Sequence, residues 1–118
     1  MARLKNNAPP GSLFKAPPPA RDKKYLAAIR QLPCLFPGCG VAPCGTSAHV
    51  RQSTYTLARK PSDYRTLPLC HRHHMEQHTE GEQAWWDRHG IDPIAVADRL
   101  KAAYPDIEQM TAIVMRSK

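Results

Sequence analysis

The chain has 118 residues and a formal net charge of +7; 12 of its residues are proline and 7% are aromatic. This length admits one small domain, and its thin apolar core predicts a need for a metal or a similar cross-link. No segment approaches the roughly 20 apolar residues of a membrane-spanning helix, which argues against a membrane protein.

The charge is concentrated in the first part of the chain. Residues 1–72 carry 12 lysines and arginines against two acids, a balance of +10, whereas residues 73–118 carry five against eight, a balance of −3. A one-sided positive field attracts polyanions, so nucleic acid is the expected partner, and binding should weaken with added salt. A surface that is merely soluble is the alternative.

The first 20 residues have the composition of a disordered basic arm. Prolines recur in this segment, basic residues are scattered between them, and few apolar side chains are available for burial. Such an arm either lies along nucleic-acid phosphates or is a simple tail, and the sequence favours neither interpretation. We expect residues 1–20 to lie outside the folded domain.

A domain is predicted to begin at residue 21. Asp22 is a suitable N-cap for a helix that extends to Leu32 and is ended by Pro33. The segments 46–50 and 67–69 predict two strands, joined by a polar loop that is long enough to carry function.

Helices are predicted after the second strand. The first of them follows Cys70 and carries several histidines. Thr79 and Glu82 have the spacing of a capping box, which predicts that a separate helix starts there and ends at Gly90.

The remaining chain also has helical periodicity. Trp85 and Trp86 are expected to pack in the core rather than to stack on bases, because an aromatic pair in an amphipathic helix is usually buried. The pair Asp92-Pro93 predicts the start of a helix that extends to Tyr104. A last helix is expected as a C-terminal tail at 105–118, outside the domain 21–104.

Cysteine and histidine occur in two pairs with metal-ligand spacing. Cys34 and Cys39 flank a Pro-Gly turn as C-x4-C, and Cys70 and His73 are three positions apart at the start of a predicted helix. Such a turn exposes backbone N–H groups to thiolates, and residues three apart share one helix face. Together the four residues predict one closed structural Zn²⁺ site.

Two alternatives remain open at this point. Cys39 and Cys44 also have C-x4-C spacing, but the Pro-Gly turn favours Cys34 with Cys39 and leaves Cys44 as a buried free thiol. Four cysteines could instead form disulfides. Because no apolar signal segment precedes them, we expect a reducing, cytoplasmic setting in which Cys/His clusters usually bind metal.

A second metal site is predicted on the histidine-rich helix. His74 is turned about 100° from His73 around the helix axis, so it should not join the same tetrahedron. His74 and His78 are i and i+4, a spacing that can clamp a metal ion in an open site. Histidines that are merely solvated are the alternative.

These residues resemble the ββα-metal fold of HNH endonucleases, and the likeness is greatest to the phage and prophage RecA-dependent (Ref-like) group. It covers about residues 25–104. The resemblance implies an α+β fold, a small zinc-stabilised ββα-metal domain with flanking helices. The matching runs are Ala48-His49-Val50-Arg51, Lys60-Pro-Ser-Asp63, Pro68-Leu-Cys-His-Arg-His-His74 with His78, and Gly81-Glu-Gln-Ala-Trp-Trp86 through Gly90-Ile-Asp-Pro93.

The resemblance also implies roles for individual residues. His49 would be the general base, and His74 would be the final histidine of the motif. Asp63 stands at the asparagine position, and His78 matches a further metal ligand. The chain departs from many relatives at Ala48, where a ligating Asp or His is common, and Asp63 could replace that ligand.

The implied function is a metal-dependent endonuclease that hydrolyses DNA phosphodiester bonds with little sequence specificity. Mg²⁺ or another divalent ion would sit at Asp63, His74 and His78. DNA is the implied partner, a recombinase–DNA filament is a candidate partner, and the oligomeric state is not indicated. The alternative is a non-catalytic zinc module that binds nucleic acid. The side chains expected on phosphates are Arg51, Arg59, Lys60 and Arg65.

Overall fold

The computed structural model describes residues 20–51 and 62–118. These residues form five helices and one two-stranded antiparallel sheet, which is an α+β fold, as expected. The arm expected at 1–20 lies outside the described residues except for Ala20. In chain order the elements are α1 (Lys23–Gln31), β1 (Gly45–His49), β2 (Thr66–Cys70), α2 (His71–Glu80), α3 (Glu82–Arg88), α4 (Pro93–Ala103) and α5 (Ile107–Ser117).

The sheet is short and buried. Strand β1 pairs with β2 so that Gly45 lies opposite Cys70 and His49 lies opposite Thr66. All five residues of β2 are buried, and both α1 and α2 contact both strands. Helix α2 begins directly after β2, so the sheet determines where the histidines of α2 lie.

Three helices begin at an aspartate cap. The carboxylate of Asp22 accepts a hydrogen bond from the Tyr25 amide at the start of α1, and that of Asp92 accepts one from Ala95 at the start of α4. Asp106 caps α5 in the same way through Gln109. These bonds satisfy amides that have no partner within the helix, and the predicted starts of α1 and α4 are confirmed.

The predicted capping box at Thr79 is wrong. Helix α2 continues through Glu80, so the Thr79 backbone is helical and cannot adopt the extended conformation of an N-cap. Gly81, with φ of 105°, separates α2 from α3 in a conformation that favours glycine, and no side chain caps α3. The Glu82 carboxylate instead accepts a hydrogen bond of 2.8 Å from the Arg51 amide.

One apolar core joins the elements. Trp85 and Trp86 are completely buried and meet edge to face with ring centroids 5.0 Å apart, which confirms that they belong to the core. Helix α5, expected as a tail, contributes to the same cluster through Met110, Ile113 and Val114. Each helix in the described ranges is too short or too polar to span a lipid bilayer.

Candidate metal centre and the adjoining histidines

Cys34, Cys39, Cys70 and His73 converge on one point. Their sulfur and nitrogen ligand atoms all lie within 4.8 Å of one another. Cys34 and Cys39 come from the loop after α1, whereas Cys70 ends β2 and His73 lies in the first turn of α2. The two pairs therefore reach one site from separate parts of the chain, as the spacing predicted.

The loop that carries the first pair is a tight turn. The Cys39 amide donates to the Phe36 carbonyl at 3.0 Å, and Gly38 has φ of 85°, a conformation open to glycine. The Phe36 amide points at the Cys34 sulfur at 3.5 Å, the N–H to thiolate contact expected of such a turn. A bond from the Leu35 amide to the Pro68 carbonyl, 2.9 Å long, fastens the loop to β2.

The His73 ring is oriented with Nδ1 toward the sulfurs. That nitrogen lies 3.2 Å from the Cys70 sulfur and 3.7 Å from the Cys34 sulfur. Phe36 stacks on the ring with centroids 3.8 Å apart and planes only 6° from parallel. The distances to the sulfurs identify Nδ1 as the nitrogen that would bind a metal, and the stacking on Phe36 holds the plane of the ring.

Burial affects the pKa values of the converging side chains. Burial raises the pKa of the Cys34 thiol to about 12, and burial lowers the pKa of His73. Burial also raises the pKa of Cys39, but hydrogen bonds from the Val41 backbone and the neighbouring thiols outweigh it, and the net shift is downward. A bound divalent cation stabilises thiolates that burial otherwise disfavours. Three thiolates and one imidazole whose ligand atoms lie within 4.8 Å of one another suit Zn²⁺.

Cys44 lies outside this set. It is buried, and its thiol donates toward the carbonyls of Ile29, at 3.5 Å, and Thr46, at 3.2 Å. All four cysteines are free, so no disulfide competes with the metal centre. The choice of Cys34 over Cys44 as ligand is consistent with the geometry.

His49 and Asp63 form a hydrogen-bonded pair. His49 Nε2 lies 2.9 Å from Asp63 Oδ1, and the Asp63 residue is only 4% exposed. The same carboxylate accepts from the Asp22 amide at 2.8 Å and from the Arg21 guanidinium at 3.2 Å. Burial raises the Asp63 pKa, but the bonds from His49 and Asp22 and the neighbouring positive charges outweigh burial, so the pKa lies below its ordinary value.

His74 and His78 lie side by side on α2. Their ring centroids are 4.8 Å apart, and His74 Nδ1 lies 3.1 Å from the Thr46 hydroxyl oxygen on β1. Burial lowers the His74 pKa, and positive charge on His78, His71 and His49 lowers it further. His74 therefore lies against β1, the strand that ends at His49.

The structure does not bring together every residue of the predicted second site. Within residues 20–51 and 62–118, the Cys/His set is the one group of three or more such side chains whose ligand atoms converge. The Asp63 carboxylate contacts His49, Asp22 and Arg21 rather than joining His74 and His78. Asp63 is therefore a hydrogen-bond partner of His49 in this structure.

The four basic residues expected to contact phosphates differ in their surroundings. Arg51 is exposed, and its amide is held by Glu82. Arg65 pairs with Asp98 at 3.3 Å. Arg59 and Lys60 lie outside the described residues. Among the described residues expected to contact phosphates, Arg51 is therefore the one that is exposed at the surface.

Sequence reasoning missed the residues that support these side chains. Arg21 and Asp22 approach Asp63 from more than 40 positions away, and Thr46 approaches His74 from 28 positions away. Phe36 was not singled out either, although an aromatic residue inside a C-x4-C loop beside a ligating histidine is a signal that could have been read.

Compared with protein-family models, with curated proteins and with solved structures, the chain matches none of them. Its function is therefore inferred from the geometry described above and from the motif resemblance.

Proposed function

We propose that the protein is a metal-dependent endonuclease of the HNH type, which hydrolyses DNA phosphodiester bonds with little sequence specificity. The proposal depends on the 2.9 Å contact between His49 Nε2 and Asp63 Oδ1. His49 ends β1, the strand that contacts His74 through Thr46. The order β1, β2, α2, with a Cys/His centre at the junction of β2 and α2, supports a ββα-metal architecture.

The His49–Asp63 contact suits a general base. An ionised carboxylate can only accept a hydrogen bond, so Nε2 of neutral His49 must carry the proton. Its Nδ1 is then the nitrogen with a free electron pair, available to take a proton from water. Asp63 would hold the ring in this tautomer and stabilise the positive charge that appears when Nδ1 is protonated, the role of the carboxylate in a catalytic triad.

His74 and His78 are the side chains proposed to hold the divalent ion. When bound, such an ion neutralises charge on the phosphate and on the leaving oxygen. Two imidazoles at adjacent turns suit first-row transition ions better than Mg²⁺, so Mn²⁺ and Ni²⁺ belong beside Mg²⁺ in any assay. The Cys/His centre would serve the fold rather than the reaction, because its four ligands leave no open position.

The proposed substrate follows from charge. The basic first part of the chain, with Arg51 exposed beside β1, would attract the phosphate backbone. Among the described residues near His49, none forms an arrangement known to read base edges, so cleavage would be unspecific or directed by a partner such as a recombinase–DNA filament.

The test is nicking of supercoiled plasmid by the zinc-loaded protein, with each divalent ion added separately. His49→Ala should lower the nicking rate by about 10²–10⁴-fold, the usual contribution of a general base. The matched control is His71→Ala, which removes an exposed imidazole from the first turn of α2 and should leave nicking near the parent rate. Zinc content should stay unchanged in both variants. His49→Ala should still melt cooperatively, at a lower temperature than the parent because Asp63 loses a hydrogen-bond partner, whereas His71→Ala should melt like the parent.

Two results would contradict the proposal. One is parental nicking by the His49→Ala protein, which would point to a contaminating nuclease. The other is a folded, zinc-loaded parent that nicks no DNA with any of the ions.

A non-catalytic zinc module that binds nucleic acid is the second candidate. It is favoured by the finding that, among the described residues, the closed Cys/His set is the one metal-ligand group that assembles. This candidate predicts DNA binding that falls steeply with salt, together with no cleavage at any divalent ion concentration.

A further inference from the structure

Thr46 on β1 connects the sheet to His74 on α2 through one oxygen atom. Its hydroxyl donates a hydrogen bond to the Leu69 carbonyl on β2, and its Oγ1 lies 3.1 Å from His74 Nδ1. Thr46 and Leu69 are also direct partners in the strand register. The hydroxyl is therefore placed by the sheet itself and not by a flexible loop.

The two contacts determine where the proton of His74 resides. A carbonyl oxygen can only accept, so the single hydroxyl proton of Thr46 is used in the bond to Leu69. Toward His74 the Thr46 oxygen then has only electron pairs to offer. A hydrogen bond between them requires that His74 Nδ1 carry a proton and donate it.

We propose that Thr46 is a positioning residue that holds neutral His74 in its Nδ1-protonated tautomer and thereby aims an unprotonated Nε2 at the divalent ion. The tautomer follows from the hydrogen bonds alone, and the use of Nε2 as a ligand rests on the proposed function. In metal sites the second nitrogen of a ligating histidine is commonly held in this way, and losing the outer partner usually weakens metal binding by about 10–100-fold.

The two histidines beside the sheet would then be held in opposite tautomers. His49 carries its proton on Nε2, which faces Asp63, and keeps Nδ1 free. His74 carries its proton on Nδ1, which faces Thr46, and keeps Nε2 free. In this arrangement His49 can accept a proton and His74 can bind a cation, although both are histidines.

The test uses two substitutions of Thr46. Thr46→Val keeps the branched side chain that suits a strand but removes the oxygen, whereas Thr46→Ser keeps the oxygen. Zinc-loaded parent and variants are titrated with Ni²⁺ by calorimetry, and zinc content is measured before and after. The ring nitrogen resonances of His74, assigned with a His74→Gln variant, are recorded at pH 8, above the ordinary histidine pKa of about 6.5.

The proposal predicts a distinct pattern. The parent and Thr46→Ser should show His74 protonated at Nδ1 and should bind Ni²⁺ with similar affinity. Thr46→Val should bind Ni²⁺ about 10–100-fold more weakly and should show a shifted tautomer balance, while zinc content stays at the parental level. Rescue by serine separates a hydrogen-bonding role from a merely structural one.

The failure of this inference is distinguishable from failure of the proposed function. A parent protein with His74 protonated at Nε2, or a Thr46→Val protein with parental Ni²⁺ affinity and tautomer, overturns the role of Thr46 whether or not DNA is cleaved. Conversely, a parent that nicks no DNA but shows the expected tautomer and Ni²⁺ pattern overturns only the endonuclease.

Discussion

Replacing Cys34 by serine removes one of the four converging ligand atoms with little change in side-chain size. Structural zinc contributes roughly 10–16 kcal/mol of apparent binding free energy at pH 7. If each ligand carries a quarter of this, the variant loses about 2.5–4 kcal/mol, which weakens zinc binding by about 70- to 900-fold. Small domains are stable by only about 5–15 kcal/mol, and each kcal/mol shifts the Tm by about 4–8 °C. The Tm should therefore fall by at least about 10 °C.

The measurement is zinc content by native mass spectrometry, followed by a thermal melt with and without a chelator. Cys44→Ser is the matched control, because it makes the same change at another buried cysteine outside the metal set. Its hydroxyl can donate to the same carbonyls of Ile29 and Thr46 that the thiol contacts. We expect the control to keep its zinc and to melt close to the parent.

The reasoning is refuted if the Cys34→Ser protein retains the parental zinc content and melts cooperatively at the parental temperature. It is also refuted if Cys44→Ser loses zinc while Cys34→Ser does not, since the ligand would then have been misassigned. The parent should lose its cooperative melting transition when the chelator removes zinc, because the free energy of zinc binding is part of the folding free energy.

Two further predictions concern hydrogen bonds near the sheet. Asp63→Asn should lower the free energy of unfolding by about 1–3 kcal/mol in urea denaturation at pH 7, because one amide group cannot accept from both His49 and Asp22. The pKa of Asp63 in the folded protein lies below its ordinary value of 3.8, so the ionised carboxylate stabilises the fold fully above pH 3.8 and loses this effect as pH falls through the folded-state pKa. The difference in unfolding free energy between parent and variant should therefore shrink in acid, and a difference that grows in acid would contradict this reasoning. Asp22→Ala should cost about 0.5–2 kcal/mol, since Asp22 caps α1 and accepts from the Tyr64 hydroxyl, and the same denaturation measurement would contradict the role if the midpoint did not move.

Local signals in the sequence located most of the elements. Asp22 and Asp92 start helices because a carboxylate one turn ahead satisfies free amides, and this requires only residues that are neighbours in the chain. The metal set was predictable for a similar reason, since C-x4-C and C-x-x-H each form half a site within a single turn. The capping box at Thr79 failed because the preceding helix continued past it, which the four-residue pattern could not reveal.

The sequence by itself therefore determined the α+β composition, the starts of α1 and α4, and the four residues that converge at the candidate metal centre. The tertiary structure alone decided that Asp63 lies against His49 rather than beside His74, and that the Thr46 hydroxyl lies against His74. The physical reason is chain separation: these partners lie 14 and 28 positions apart, and no turn or helix period relates them. Their contacts exist only after β1 has paired with β2 and α2 has packed against the sheet.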